Sequence, residues 1–421
     1  MGKIKGFLFA VRNREILMTD LGLIYIMPKE KTIARWLPLV GLTFAVFVFN
    51  TSEFMPIGLL SDIAADLHIS EVRAGLLVSV YAWVVALMSL PLMVMVSTVE
   101  LKRLLLAIIA LFVVSHVASA LAEGYYTLML SRIGVACAHS IFWSIAPPLA
   151  VRTVPDGRSA LGLSTMATGS SVAMVVGLPI GRVVGLYVGW RMTFLSIAVI
   201  SALIFVFIAA VFPRLQSRGK FSFAKIPALL HNRVLLGLFV LALLFATTHY
   251  TGYSYIEPFL DQVAGLSPDV VTMVLIVFGA SGMLGSIAFS KYYMSGRRRF
   301  MAVVTLGPAL CLLLMQAAAM DIIAIFAVCI VWGAMATAFN IACQDNTIRF
   351  APKEATSIAM SIFSGIFNLG IGCGAYLGGV VVDHTSLCGI GYAGALIGLV
   401  ATLYLVLRFF PNMRRREAAQ Q

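Results

Sequence analysis

The sequence predicts an all-α polytopic membrane protein whose twelve transmembrane helices form two pseudo-symmetric six-helix bundles. Three observations predict it. Of 421 residues, 61% are hydrophobic and 11% charged, against about 45–50% apolar and about 25% charged in soluble domains. The apolar residues fall into twelve runs, each near the roughly 20 residues that a helix needs to cross a bilayer. The last six runs repeat landmarks of the first six. No polar stretch is long enough to be a soluble domain, which excludes a singly anchored enzyme.

Bounded by charges, Gly or Pro, the runs are Trp36 to Leu60, Ala74 to Val96, Leu104 to Ala122, Tyr126 to Val151, Leu161 to Val188 and Thr193 to Phe212 in the first half. In the second they are Leu235 to Phe259, Val270 to Phe289, Phe300 to Ala319, Ile322 to Cys343, Ser357 to Val381 and Ile390 to Phe410. They lack the alternation of barrel strands, and a spanning segment must satisfy its own backbone groups, so helices are expected. Asp321 is almost the only interruption between spans nine and ten. The chain divides into an N-terminal segment 1–35, a six-helix bundle 36–212, a central loop 213–234, a second bundle 235–410 and a tail 411–421. Ile16 to Met27 is too short to span and lacks a signal-peptide cleavage pattern. Residues 1–26 read either as an extension or as lying ahead of a translation start at Met27.

The net charge of +12 is a topology signal. Basic residues sit at Lys29, Lys31 and Arg35, Lys102 and Arg103, Arg152 and Arg158, Arg214 to Arg233, Lys291 and Arg297 to Arg299, Arg349 and Lys353, and Arg408 with Arg414 to Arg416. All these segments face one side if every run crosses. Only Arg73 and Arg191 fall in loops opposite, while Arg132 and Arg182 lie within spans. The bias places both termini in the cytoplasm and excludes a nucleic-acid surface. The six cysteines form no CxxC or Cys/His cluster, so neither metal nor cofactor is expected.

A shift of 197 residues relates the halves: Arg152 and Pro155 map onto Arg349 and Pro352, Ser164 onto Ser361, Gly177 onto Gly374 and Gly181 onto Gly378. Parallel six-helix halves imply a central cavity opened alternately to each side, which is a transport architecture.

Several strings resemble the major facilitator superfamily. LMLSRIGVACAHSIFWS in span four, with Arg132 and His139, resembles the arginine-bearing motif of its proton-antiport branch, with Ala136 where Gly is usual. ATGSSVAMVVGLPIGRVVG in span five resembles the glycine-proline motif of exporters there. STVELKRLL after span two keeps the basic pair without the usual Gly and Asp. FNTSEFMPIGLLSDIA, YAWVVALMSLPLM, HYTGYSYIEPF and FSGIFNLGIGCGA resemble bacterial SotB-type sugar efflux transporters. The resemblance implies the major facilitator fold and sugar export across the bacterial inner membrane. It implies antiport with protons, the transmembrane proton gradient being the energy source. The implied partners are a small-molecule sugar, protons and the lipid bilayer, with the chain acting as a monomer.

Ionisable groups within spans cost about 2.5–3.5 kcal/mol each on insertion scales, so each needs a partner, an aqueous cavity or an interface. Glu53 and Arg132 both lie roughly 10 Å from the outer ends of their spans at 1.5 Å per residue. They are expected to form a proton-exchanging carboxylate with a fixed Arg that stabilises its charge. Arg132, His139 and Trp143 share a helical face. His139 could relay protons or bind a hydroxyl, while Trp143 packs or binds. His249, Tyr253 and Glu257 form an i, i+4, i+8 stripe whose aromatic faces and polar groups suit a sugar, and Pro258 marks a bend. Asn50, Asn340 and Asn368 are candidates for holding hydroxyls or bridging helices. Arg182 is expected to snorkel, and His116 to pack without a partner. Gly169, Gly177, Pro179 and Gly181 in span five, with Gly374 and Gly378 in span eleven, form small-residue faces expected to serve a moving interface. Gly185, Gly365, Gly370, Gly372 and Gly379 belong to the same set.

Two other readings compete. A drug or metabolite exporter on the same scaffold would need fewer hydrogen-bonding groups in its pocket. An intramembrane enzyme would draw on the GASG string Gly279 to Gly282, with Ser281 as nucleophile and His249 as base, but no HExxH or nucleotide-binding GxxxxGKS accompanies it.

Overall fold

A computed structural model describes residues 14–18, 24–28, 35–155, 159–216, 227, 229, 231–352 and 356–418. Lys29, Lys31, Arg158 and Lys353, and most of the connection between the halves, lie outside the described residues. Among the described residues, twelve helices are long and apolar enough to cross a membrane: α1 Leu37–Asp66, α2 Glu71–Val96, α3 Leu101–Ala120, α4 Tyr125–Arg152, α5 Leu161–Val188, α6 Trp190–Val211, α7 Arg233–Tyr253, α8 Pro268–Tyr292, α9 Arg297–Ala318, α10 Ile322–Phe350, α11 Ile358–His384 and α12 Gly389–Arg415. Ahead of them, Arg14–Met18 and Ile24–Pro28 pair as an antiparallel hairpin with Ile16 opposite Ile26.

Local chemistry explains the boundaries. Ser70 starts α2 by accepting from the Arg73 N–H. Asp321 separates α9 from α10 as an N-cap, its Oδ1 accepting from the Ala324 N–H at 2.8 Å. Span seven ends earlier than the apolar run. α7 stops at Tyr253, and after a turn at Ser254 and Tyr255 the chain resumes as a short helix Ile256–Pro258. Pro258 has no N–H with which to bond the Ser254 carbonyl, so the regular ladder cannot pass. α1 breaks in the same place in its own half, where Met55–Leu59, with Pro56, winds as a tighter 3₁₀ turn.

Packing repeats between the halves. In the first bundle α1 packs on α5 and α6, α2 on α4, and α3 on α4 and α6. In the second, α7 packs on α11 and α12, α8 on α10, and α9 on α10 and α12. Adding six to each helix number converts one set into the other. The seams between the halves, α2 against α11 and α5 against α8, obey the same relation.

The apolar core is divided unevenly. One cluster takes in the first bundle and continues through Tyr255, Ile256, Phe259, Val271 and Leu275 of the second, at the end away from the basic loops. The basic end of the second bundle has its own cluster around Leu235, Phe239, Val304 and Phe339. The halves are fused at one end and separately packed at the other.

Candidate functional site

Phe54 and Tyr250 lie just before the two kinks, and their rings stack across the halves at 6.1 Å. A polar cluster adjoins each.

In the first bundle, Glu53 Oε2 lies 3.5 Å from His139 Nε2, both side chains being buried. Arg132 is wholly buried, but its direct contacts are with other groups. Its Nη1 donates to the Ser52 carbonyl at 3.2 Å, and its guanidinium lies 4.4 Å from the Tyr81 ring centroid, a cation–π arrangement. Glu53 and Arg132 thus share one buried cluster without a direct ion pair among the described residues: matched depth fixed the level of both groups but not their direction around the helix axes, and His139 lies nearest the carboxylate. Arg132 Nε and Nη2, His139 Nδ1 and the Tyr81 hydroxyl are buried with no hydrogen-bond partner among the described residues.

His116 is also corrected, since it has a partner. Its Nδ1 lies 2.9 Å from the Phe112 carbonyl, which can only accept. In neutral imidazole Nε2 is then the acceptor, and Ser52 Oγ donates to it at 2.7 Å. Ser52 is held on both sides, through its carbonyl by Arg132 and through its hydroxyl by His116. Phe49 packs beneath, stacked on Phe112 at 3.9 Å and Phe142 at 4.0 Å. Trp143 is half-buried with its ring 6.1 Å from His139.

In the second bundle, His249 stacks on Tyr253 at 5.1 Å and Tyr253 on Phe278 at 4.8 Å. Trp332 closes the group. Its Nε1 donates to His249 Nδ1 at 3.0 Å. Indole N–H is donor only, so Nδ1 must accept, and the neutral ring carries its proton on Nε2. Trp332 was absent from the sequence candidates. Its signal was position: it lies roughly 15 Å along α10 from Ile322, far from the interfacial belts where Trp is enriched. Ser281 donates to the Phe278 carbonyl at 2.6 Å, while Trp332 occupies His249 Nδ1, so the structure does not assemble the nucleophile and base of the enzyme reading.

Glu257 is separated from His249 and Tyr253 by the turn at Ser254, which corrects the continuous stripe. It joins the halves instead. Its Oε1 lies 3.0 Å from Arg182 Nη1, and the two side chains are 4% and 3% exposed. Its Oε2 accepts from the Ser61 N–H at 3.2 Å and hydroxyl at 2.9 Å. Arg182 also donates to the Gly58 carbonyl at 2.5 Å. The expected snorkelling of Arg182 is overturned, because an inward partner removes the reason to reach for water. Glu71 and Gln262 add another bond between the halves.

The amides bridge locally. Asn50 Nδ2 donates to the Val46 carbonyl and to Ser170 Oγ, both at 3.0 Å, tying α1 to α5. Asn340 Oδ1 accepts from Gln344 at 2.5 Å. Asn368 Nδ2 donates to the Ser364 carbonyl at 3.1 Å, and its Oδ1 is buried without a partner among the described residues.

The glycine faces lie within the halves. A Cβ at Gly177 would meet Thr51 Oγ1 at 2.2 Å, one at Gly169 the Thr43 carbonyl at 2.9 Å, and one at Gly181 Met55 Cγ at 2.9 Å, all on α1. Pro179 follows a π-helical turn, Ala173–Gly177, in the same stretch of α5. Gly374 and Gly378 meet the Thr247 and Thr251 carbonyls of α7, each at 2.6 Å. They bring α5 close to α1 and α11 close to α7, inside each bundle. Between the halves, a Cβ on Gly372 would run into the Trp83 ring of α2, one on Gly379 would meet Val72 Cγ1 of α2 at 3.2 Å, and one on Gly75 of α2 would run into the Tyr255 hydroxyl.

The structure is similar to three solved transporters. A bacterial homologue of the human lysosomal transporter Spinster, inward-facing and unoccupied, aligns with TM-score 0.70 and 17% identity over 90% of this chain and 97% of its own. The nucleoside transporter NupG aligns with TM-score 0.74 and 16% identity over 89% and 100%. A peptide transporter of the POT family aligns with TM-score 0.73 and 13% identity over 89% and 94%. These identities speak for the fold alone. The sequence pattern described as Major Facilitator Superfamily matches residues 42–347 and 291–421. Taken with the twelve helices and the six-by-six packing relation, this match shows that the chain belongs to the Major Facilitator Superfamily of membrane transporters.

Proposed function

We propose that this transporter exports sugars from the cytoplasm across the bacterial inner membrane in exchange for protons, as the SotB-type resemblance implies. Its basic loops face the cytoplasm, so the fused end is the outer one. The observation that carries the proton part is the buried contact of Glu53 with His139, beside an Arg132 that keeps two free donors. Proton exchange at Glu53 changes the charge it presents to Arg132, and Ser52, the residue before it, ties that change to the α1 backbone near its kink. Asn368 Oδ1, His249 and the Tyr253 ring supply an acceptor, a donor and a stacking face, which match a sugar's hydroxyls and its C–H face.

Alternating access then requires the outer closure at Glu257 to part while the basic end closes. The test is uptake of labelled sugars into inside-out vesicles, with a pH gradient imposed and then collapsed. Gradient-dependent sugar accumulation is the expected result. Gradient-driven movement of amphipathic drugs without sugar would favour the second reading, for which the aromatic wall of His249, Tyr253, Phe278 and Trp332 speaks.

A further inference from the structure

Two adjoining surface cavities lie at the basic end of the second bundle. One, of about 640 Å³, is an apolar groove between α8, α9 and α10, walled by Leu284, Val303, Val331, Ala334 and Met335. The other, of about 540 Å³, is lined by Arg297, Arg298 and Arg299 with Met413 from the end of α12. Ser295, Gly296 and Arg299 line both, so groove and arginine pocket are continuous. Leu284, Val303 and Val331 are 54%, 55% and 43% exposed, on a face that looks outward from the bundle. Along α8 the groove extends from Tyr292 back to Leu284, and along α10 from Ala338 to Ile330. Either stretch is roughly 12 Å long at 1.5 Å per residue. One leaflet contributes about half of the roughly 30 Å hydrocarbon core, so the groove runs most of one leaflet's depth and stops. Its floor is closed where α8 and α10 touch: a Cβ on Gly285 would meet the Ala334 carbonyl at 2.0 Å.

We propose that this composite cavity binds an anionic phospholipid of the adjacent leaflet, with an acyl chain in the groove and the headgroup phosphate at Arg299 and its neighbours. A free anion has no use for the apolar groove, and a zwitterionic lipid would gain less from three arginines. The cavity shares no residue with the polar clusters of the transport site. Phosphate oxygens fit guanidinium forks, and basic pockets between transmembrane helices at the cytoplasmic side are suited to anionic headgroups.

Native mass spectrometry of the full chain, presented with phosphatidylglycerol or phosphatidylcholine, tests the proposal without measuring transport, so its failure is separate from any failure of the export reading. The wild type is expected to retain phosphatidylglycerol in preference. Arg299→Gln should cut that preference about fivefold, as removal of one surface-basic contact does. Val331→Trp, which fills the groove and leaves the arginines intact, should lower retention of both lipids. Both side chains are exposed, so neither change disturbs the buried packing. The proposal is overturned if the wild type shows no preference. It is equally overturned if Val331→Trp retains phosphatidylglycerol like the wild type, or if glycerol phosphate displaces the lipid, either of which reduces the pocket to an anion site.

Discussion

Arg182 on α5 and Glu257 beyond the end of α7 form a buried ion pair across the two halves, 3.0 Å apart, with Ser61 taking the second carboxylate oxygen. Removing one member of a buried pair leaves the other unpaired, a loss of about 3–5 kcal/mol, whereas removing both is milder. Glu257→Ala should therefore open the fused end, and Arg182→Met with Glu257→Leu should open it less. Spin labels at Tyr187 and Asp269, whose side chains meet at 3.5 Å across the same seam, would report longer distances in the single variant. Unchanged distances would remove Glu257 from the closure.

Trp332→Phe keeps the aromatic wall and deletes the N–H that His249 accepts. Without that bond the imidazole can change tautomer and turn, so the Nε2–H is no longer fixed. A net hydrogen bond is worth about 0.5–1.5 kcal/mol, and the transport KM should rise about three- to tenfold with the maximal rate little changed. An unaltered KM would make the bond irrelevant to recognition.

Glu53→Gln preserves shape and removes the titrating proton. Export driven by an imposed pH gradient should be lost, while substrate exchange at equal pH on both sides persists. Full gradient-driven export in this variant would refute the assignment of Glu53.

Gly177→Val places a branched side chain where Cβ alone would stand 2.2 Å from Thr51 Oγ1. Overpacking of this kind costs about 1–3 kcal/mol, so thermal unfolding in detergent should begin at lower temperature. Adding Thr51→Ala should recover part of the loss. Equal melting of the single variant and the wild type would count against the close approach of α5 to α1.

Glu100, outside the spans, caps α3 and bonds the segment after α6. Slight burial raises its pKa, but bonds from the Lys102, Leu215 and Arg103 backbone N–H groups and the charge of Arg103 outweigh this and hold it below the usual range. A lowered native pKa means stabilisation that is complete above the unfolded value of about 4.3 and lost as pH falls through the native one. The protection factor of the Lys102 and Arg103 amides, that is, their exchange corrected for the intrinsic rate at each pH, should fall on acidification through that range, and Glu100→Gln should flatten the response.

Composition and charge carried the twelve spans because a bilayer imposes one length and one backbone solution on every crossing. Pro258 was legible as a bend because its missing N–H acts locally, whereas Asp321 was legible only as an interruption and its capping of α10 came from the structure. The site was legible only as a set of residues. Glu53, Arg132 and His139 do lie together, yet choosing His139 over Arg132 required the rotation of α1 against α4. The pairing of Arg182 with Glu257 joins positions from opposite halves whose relation no periodicity encodes. Trp332 looked like any aromatic of an apolar span until α10 brought it beneath His249.

The shared apolar core at one end has a thermal consequence. Parting the halves there brings Tyr255, Phe259 and Leu275 toward water, whereas the basic end has its two cores already apart. Wetting apolar surface raises heat capacity, and the cost of doing so weakens on cooling. The balance between the two access states should accordingly curve with temperature, with the outward-open form gaining ground in the cold.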